Sequence, residues 1–83
     1  MTRTEAERVA KIIGTADNAC GSCVGGLVGL ANAAFPDWAW KLAPGDQQVE
    51  YYTDDWTLVP KTDEEPWERG SVGALLVTVK PRP

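Results

Sequence analysis

Residues 19–35 read Ala-Cys-Gly-Ser-Cys-Val-Gly-Gly-Leu-Val-Gly-Leu-Ala-Asn-Ala-Ala-Phe, the longest apolar stretch of the chain, and Pro36 closes it. At helical spacing Cys23, Leu27, Leu30, Ala31 and Ala34 share one stripe, the pattern of a core-facing helix. Gly25, Gly26 and Gly29 lie inside it, each costing roughly 1 kcal/mol against alanine in a helix interior. Packing must recover that penalty, so the stretch is expected to be the central buried helix, its small residues admitting another backbone. The helix-disfavouring effect of Pro36 on Phe35 marks its end. Asp17, Asn18 or Ser22 is the expected cap at its start.

Upstream, Thr2 and Thr4 each precede a glutamate by three residues, Glu5 and Glu7, which is capping-box spacing. Ala6, Val9, Ile12 and Ile13 form an apolar stripe, and Arg3, Glu7 and Lys11 fall opposite at i, i+4 spacing. A helix over 3–13 follows, stopped by Gly14. The short polar joint 15–18 then predicts an antiparallel helical hairpin.

Beyond Pro36 the period changes to two. Trp38, Trp40 and Leu42 alternate with Ala39, Lys41 and Ala43, and Gln48–Thr53 is rich in β-formers. The intervening Ala43-Pro44-Gly45-Asp46 predicts a hairpin between the two strands. Residues 56–59 make a short strand, 60–71 a charged loop with room for one helical turn at 63–68, and 73–80 a central strand. Leu75, Val77 and Val79 are its expected core face, with Leu76 left needing cover. The predicted architecture is α+β: an N-terminal helical hairpin packed on a three- or four-stranded antiparallel sheet, as one domain over residues 1–83.

An 83-residue chain hides only about 60–65 % of its unfolded surface, so small increments matter to its stability. There is no run of about 18 apolar residues, so no membrane span is expected. The charged first twelve residues lack a secretory-signal pattern, and a cytoplasmic location is the expectation. Net charge is −4 and unevenly spread: residues 46–69 hold eight acids against two bases. Phosphate backbones would be repelled and a basic protein surface attracted.

Two constellations carry chemistry. The first is Cys20-Gly-Ser-Cys23, two thiols three residues apart at a helix start, where the helix dipole favours the thiolate. Its readings are a pair of buried small residues, a redox dithiol, or a zinc or copper site. A closed zinc site wants four sulfur or imidazole ligands, and the chain has two cysteines and no histidine. A second copy of the chain would supply the rest, and Cu(I) would accept two sulfurs. The second constellation is Tyr51-Tyr52-Thr53-Asp54-Asp55-Trp56 together with Asp63, Glu64, Glu65, Trp67 and Glu68. Rings among carboxylates form a protein-binding surface, the rings supplying desolvated area and the acids steering a basic partner. Tyr52, Asp54, Asp55, Trp56, Asp63, Glu64, Glu65, Trp67 and Glu68 are the expected contacts, against the alternative that the tryptophans fold inward to cap the core.

Residues 20–52 resemble the heavy-metal-associated domain, in which a Cys-x-x-Cys loop opens a helix and a hairpin follows. The hairpin's counterparts here are 38–42 and 48–52. The resemblance implies metal handling through Cys20 and Cys23, and it implies a strand upstream of the cysteines, where this chain has a helical pattern.

No nucleophile elbow, calcium loop or dinucleotide fingerprint is present, and an enzyme is not expected. The leading expectation is a small acidic non-catalytic protein-binding domain, of the phage-type inhibitor or accessory kind, that engages the basic surface of a nucleic-acid-binding protein through the acidic-aromatic loop and needs no cofactor. The alternatives are a metal-handling or thiol-redox module using Cys20 and Cys23, and a structural subunit that covers Leu76 in a homodimer or larger assembly.

Overall fold

The computed structural model describes residues 1–59 and 70–83. Helix α1 spans Arg3–Gly14 and is capped by Thr2: the Glu5 amide donates to its hydroxyl at 3.1 Å, and its own amide donates to the Glu5 carboxylate at 2.8 Å. The predicted capping box is therefore formed. The helix runs through Gly14 rather than stopping there. A side chain at that position would strike the Leu75 carbonyl oxygen, so Gly14 lets the helix and strand backbones approach closely. A single turn, α2 (Ala16–Ala19), leads to α3 (Gly21–Ala34).

The strands are β1 (Trp38–Leu42), β2 (Gln48–Tyr52), β3 (Leu58–Val59), β4 (Ser71–Leu75) and β5 (Val77–Pro81). They form two antiparallel sheets, β1-β5 and β3-β2-β4. The α+β class holds, with the helices against a small antiparallel sheet of two plus three strands. The hairpin expected at Pro44-Gly45 does not form. Strand β1 pairs with β5, Leu42 opposite Val77, and β2 pairs with β4, Gln48 opposite Leu75. Between those pairs only Leu76 faces the whole of 43–47. Its carbonyl accepts from Ala43 at 2.9 Å and its amide donates to the Gln47 carbonyl at 2.8 Å. Both groups of one strand residue point the same way, so β1 and β2 lie end to end along one edge of the 71–81 strand. The Pro-Gly turn bulges out without reversing the chain, an enlarged form of the two-against-one logic of a β-bulge. The local turn signal was correct; which strand the chain paired with next was decided by the long apolar partner.

Helix α1 lies chiefly on β5 and α3 on β1. The core joins Ala6, Ala10 and Ile13 of α1, Val24, Val28 and Ala31 of α3, Trp40 of β1, and Leu75, Val77 and Val79. The expected face of the last strand is thus correct, and Leu76 is half-buried within the chain itself. Asn32 locks α3 to β1: its amide donates to the Trp40 carbonyl at 2.9 Å while its oxygen accepts the Trp40 amide at 3.0 Å.

Two expected stripes are displaced. On α1, Ile12 is exposed and Ala10 takes its place in the core. On α3, Val24, Val28 and Ala31 are buried, whereas Leu27 is 39 % and Leu30 64 % exposed and Cys23 faces solvent. Positions where side chains on Gly25, Gly26 and Gly29 would stand meet nothing within 4 Å. The glycines are therefore not a packing spine. Because α3 is apolar on every side, spacing alone offered two stripes, and the β-branched one fits the sheet. Among the described residues no helix is long and apolar enough to cross a membrane.

These contacts predict opposite signs for two glycine substitutions. Gly14→Ala should lower unfolding free energy by about 1–3 kcal/mol through overpacking. Gly29→Ala should raise it by up to about 1 kcal/mol through helix propensity. Urea unfolding followed by circular dichroism reads both.

Candidate functional site

The joint between α1 and α3 is built in the left-handed region. Asp17 has φ 47° and ψ 53°, Asn18 φ 55° and ψ 46°, and Ala19 φ 63°. Asp and Asn tolerate this region, but alanine does so at roughly 1–2 kcal/mol. The Cys20 amide closes the turn on the Ala16 carbonyl at 3.1 Å. Cys20 is then the N-cap of α3, with no side-chain cap, in place of the expected Asp17, Asn18 or Ser22. The reversed turn carries Asp17 back over the first turn of α3.

One donor atom each from Asp17, Cys20 and Cys23 lie within 4.8 Å of one another. The Cys23 thiol donates to Asp17 Oδ2 at 3.5 Å, and Cys20 Sγ and Ser22 Oγ are 3.4 Å apart. Both cysteines are free; Cys20 is half-buried and Cys23 exposed. The two thiols differ sharply. The Ser22 hydroxyl, aided by the Cys23 amide and thiol, brings Cys20 down from 9.0 to about 7. The hydrogen bond to Cys20 and then the Asp17 carboxylate push Cys23 up to about 11. Cys20 therefore ionises around neutral pH while Cys23 keeps its proton, which it donates in a hydrogen bond to the Asp17 carboxylate. Such a trio can receive a cation, and its two sulfurs can also form a disulfide.

Asp54 and Asp55 stand exposed in the turn after β2, and Tyr52 is 41 % exposed. Asp55 accepts the Thr57 amide at 2.9 Å, which holds its carboxyl below the usual range. Trp56 is half-buried, its ring 6.3 Å from that of the buried Tyr51, and its carbonyl accepts from Lys11 of α1. The expected contacts Asp63, Glu64, Glu65, Trp67 and Glu68, with the helical turn at 63–68, lie outside the described residues. Glu50, read as one face of a strand, is 5 % exposed and accepts from Ser71 at 3.2 Å.

Asp17 is the residue that sequence reasoning missed as a donor. The Asp17-Asn18 pair, separated from Cys20 only by Ala19, was the available signal, since these residues favour left-handed turns. The likeness to the heavy-metal-associated domain stops at the thiol loop: the upstream element is a helix, and β1 and β2 do not pair with each other.

Alkylation with iodoacetamide, followed by peptide mass spectrometry, should separate the thiols. Cys20 should react with a midpoint near pH 7, and Cys23 should stay protected until strongly alkaline pH. Ser22→Ala should move the Cys20 midpoint upward, since the largest cause of its depression is removed.

No family model, curated protein or solved structure matches this chain.

Proposed function

We propose that this chain is a small non-catalytic metal-handling module that holds a soft or borderline cation, zinc or Cu(I), through Cys20, Cys23 and Asp17. The observation that carries this reading is the convergence of three unlike donors within 4.8 Å at the open start of α3. Zinc bonds of about 2.0–2.3 Å in a tetrahedron place donors roughly 3.3–3.8 Å apart, so a contraction of about 1 Å converts the trio into a coordination set. The donors lie on exposed or half-exposed surface, and a cation reaches them without opening the core. Exchange chemistry would need only two sulfurs; the carboxylate on Cys23 is what a cation adds a use for. Binding displaces the Cys23 proton, so affinity rises with pH as that thiol is released. Reduced thiols suit the cytoplasmic location expected from the sequence.

In native mass spectrometry of the reduced protein, one zinc ion per chain should be retained. Cys20→Ser with Cys23→Ser should abolish retention, and Asp17→Asn should weaken it by about tenfold or more. A wild-type chain that takes up no ion, or a double mutant that still does, would remove the proposal.

A second reading keeps the acidic surface as a protein-binding site, favoured by the exposed ring of Tyr52 beside the exposed Asp54 and Asp55. Such a surface would engage a basic protein through charge steering. Asp54→Lys with Asp55→Lys should then weaken binding to a basic test protein, and raised salt should weaken wild-type binding likewise. Unchanged titration calorimetry would dismiss this reading.

A further inference from the structure

The 43–47 bulge ends over the same helix terminus. Asp46, at φ 49°, directs its carboxylate at Gly21, the first residue of α3 and the neighbour of Cys20. A methyl group on Gly21 would stand 2.9 Å from Asp46 Oδ2 and 3.7 Å from Oδ1. The carboxylate thus occupies the space that a side chain at 21 would fill. Among the described residues no hydrogen bond or ion pair reaches it, although the first-turn amides of α3 lack a side-chain cap. Asp46 is exposed, so its side chain can change rotamer without disturbing the core.

We propose that Asp46 is the fourth protein donor of the Asp17–Cys20–Cys23 site, admitted by the glycine at 21, and that the completed site takes a divalent, zinc-type cation in preference to Cu(I). This rests on the three-donor reading above. Asp46 lies outside the 4.8 Å trio in the metal-free chain and closes on the cation by side-chain rotation. Two thiolates and two carboxylates make a tetrahedral set of charge −4, the same charge as four thiolates, and a divalent ion leaves −2 in both cases. Carboxylate oxygen is a hard donor that a divalent ion uses and Cu(I) does not, since Cu(I) is satisfied by the two sulfurs. The positive end of α3 faces the set and offsets part of its remaining charge. Asp46 comes from the β1–β2 bulge and the other three donors from the α2–α3 joint, so the cation would tie the strand layer to the helix layer.

The test titrates the reduced full-length chain with Zn2+ and, separately under anaerobic conditions, with Cu(I), each against a chromophoric chelator. Asp46→Asn suits the backbone, because Asn accepts positive φ, and it should fold as wild type in the metal-free state. It should weaken Zn2+ binding by about tenfold or more and leave Cu(I) binding unchanged. Gly21→Ala keeps every ligand and should weaken Zn2+ binding in the same direction by displacing Asp46, which also covers the case of a poorly folded Asp46→Asn. Asp54→Asn, in the turn after β2, should change neither metal. Wild-type Zn2+ affinity in both Asp46→Asn and Gly21→Ala, with the cysteines still required, would overturn the fourth donor and leave the three-donor reading standing. Zn2+ binding indifferent to the cysteines would overturn both.

Discussion

Leu76 exchanges two main-chain hydrogen bonds with one partner segment, to Ala43 and to Gln47, and the layout of the molecule follows from that exchange. Ala43 and Gln47 are four residues apart, a separation that a helix or loop covers and not the spacing of a regular ladder. The segment between them must therefore leave the plane of the sheet. With it leaves the possibility of a hairpin, since β1 and β2 continue in one direction along a shared partner. The 71–81 strand becomes the member that joins the two small sheets, and its dense apolar face supplies three of the core side chains.

The helices are fixed to that frame by backbone proximity rather than by bulk. Gly14 lets α1 touch the Leu75 peptide, and Asn32 satisfies both backbone groups of Trp40 on β1. Once both helices are held, the four-residue turn between them has little freedom. Three consecutive residues at positive φ are the result, a conformation that persists because its surroundings over-determine it. That same turn brings an aspartate onto a cysteine six residues later. The surface ion pair Arg3–Glu7 at 3.2 Å, by contrast, is exposed and adds little.

Most elements could be read from the sequence because their signals are local: the Thr2–Glu5 box, the Pro36 stop, the period-two runs and the thiol pair. What escaped was set by tertiary geometry. Pro44-Gly45 encodes a turn but not its outcome, because strand pairing was settled thirty residues away. Helix α3 encodes helicity but not its buried face, because a helix apolar all round has no contrast for periodicity to register. The thiol pair was evident as Cys-x-x-Cys, but its carboxylate companion was not, since a left-handed turn reverses the spacing by which Asp17 would ordinarily be placed. Burial of Glu50 escaped for a related reason: its partner Ser71 is distant in the chain.

The outward glycines of α3 have a dynamic consequence. Gly25, Gly26 and Gly29 shield their peptide groups from water poorly and hold no side chain against a neighbour, so the middle of this helix opens at low free-energy cost. The amides of Gly25 and Gly26 should exchange with deuterium faster than those of the core-facing Val28 and Ala31 and of α1. The terminus bearing the two sulfurs thereby adjoins the least shielded part of α3, while the strand layer is held by its paired backbone.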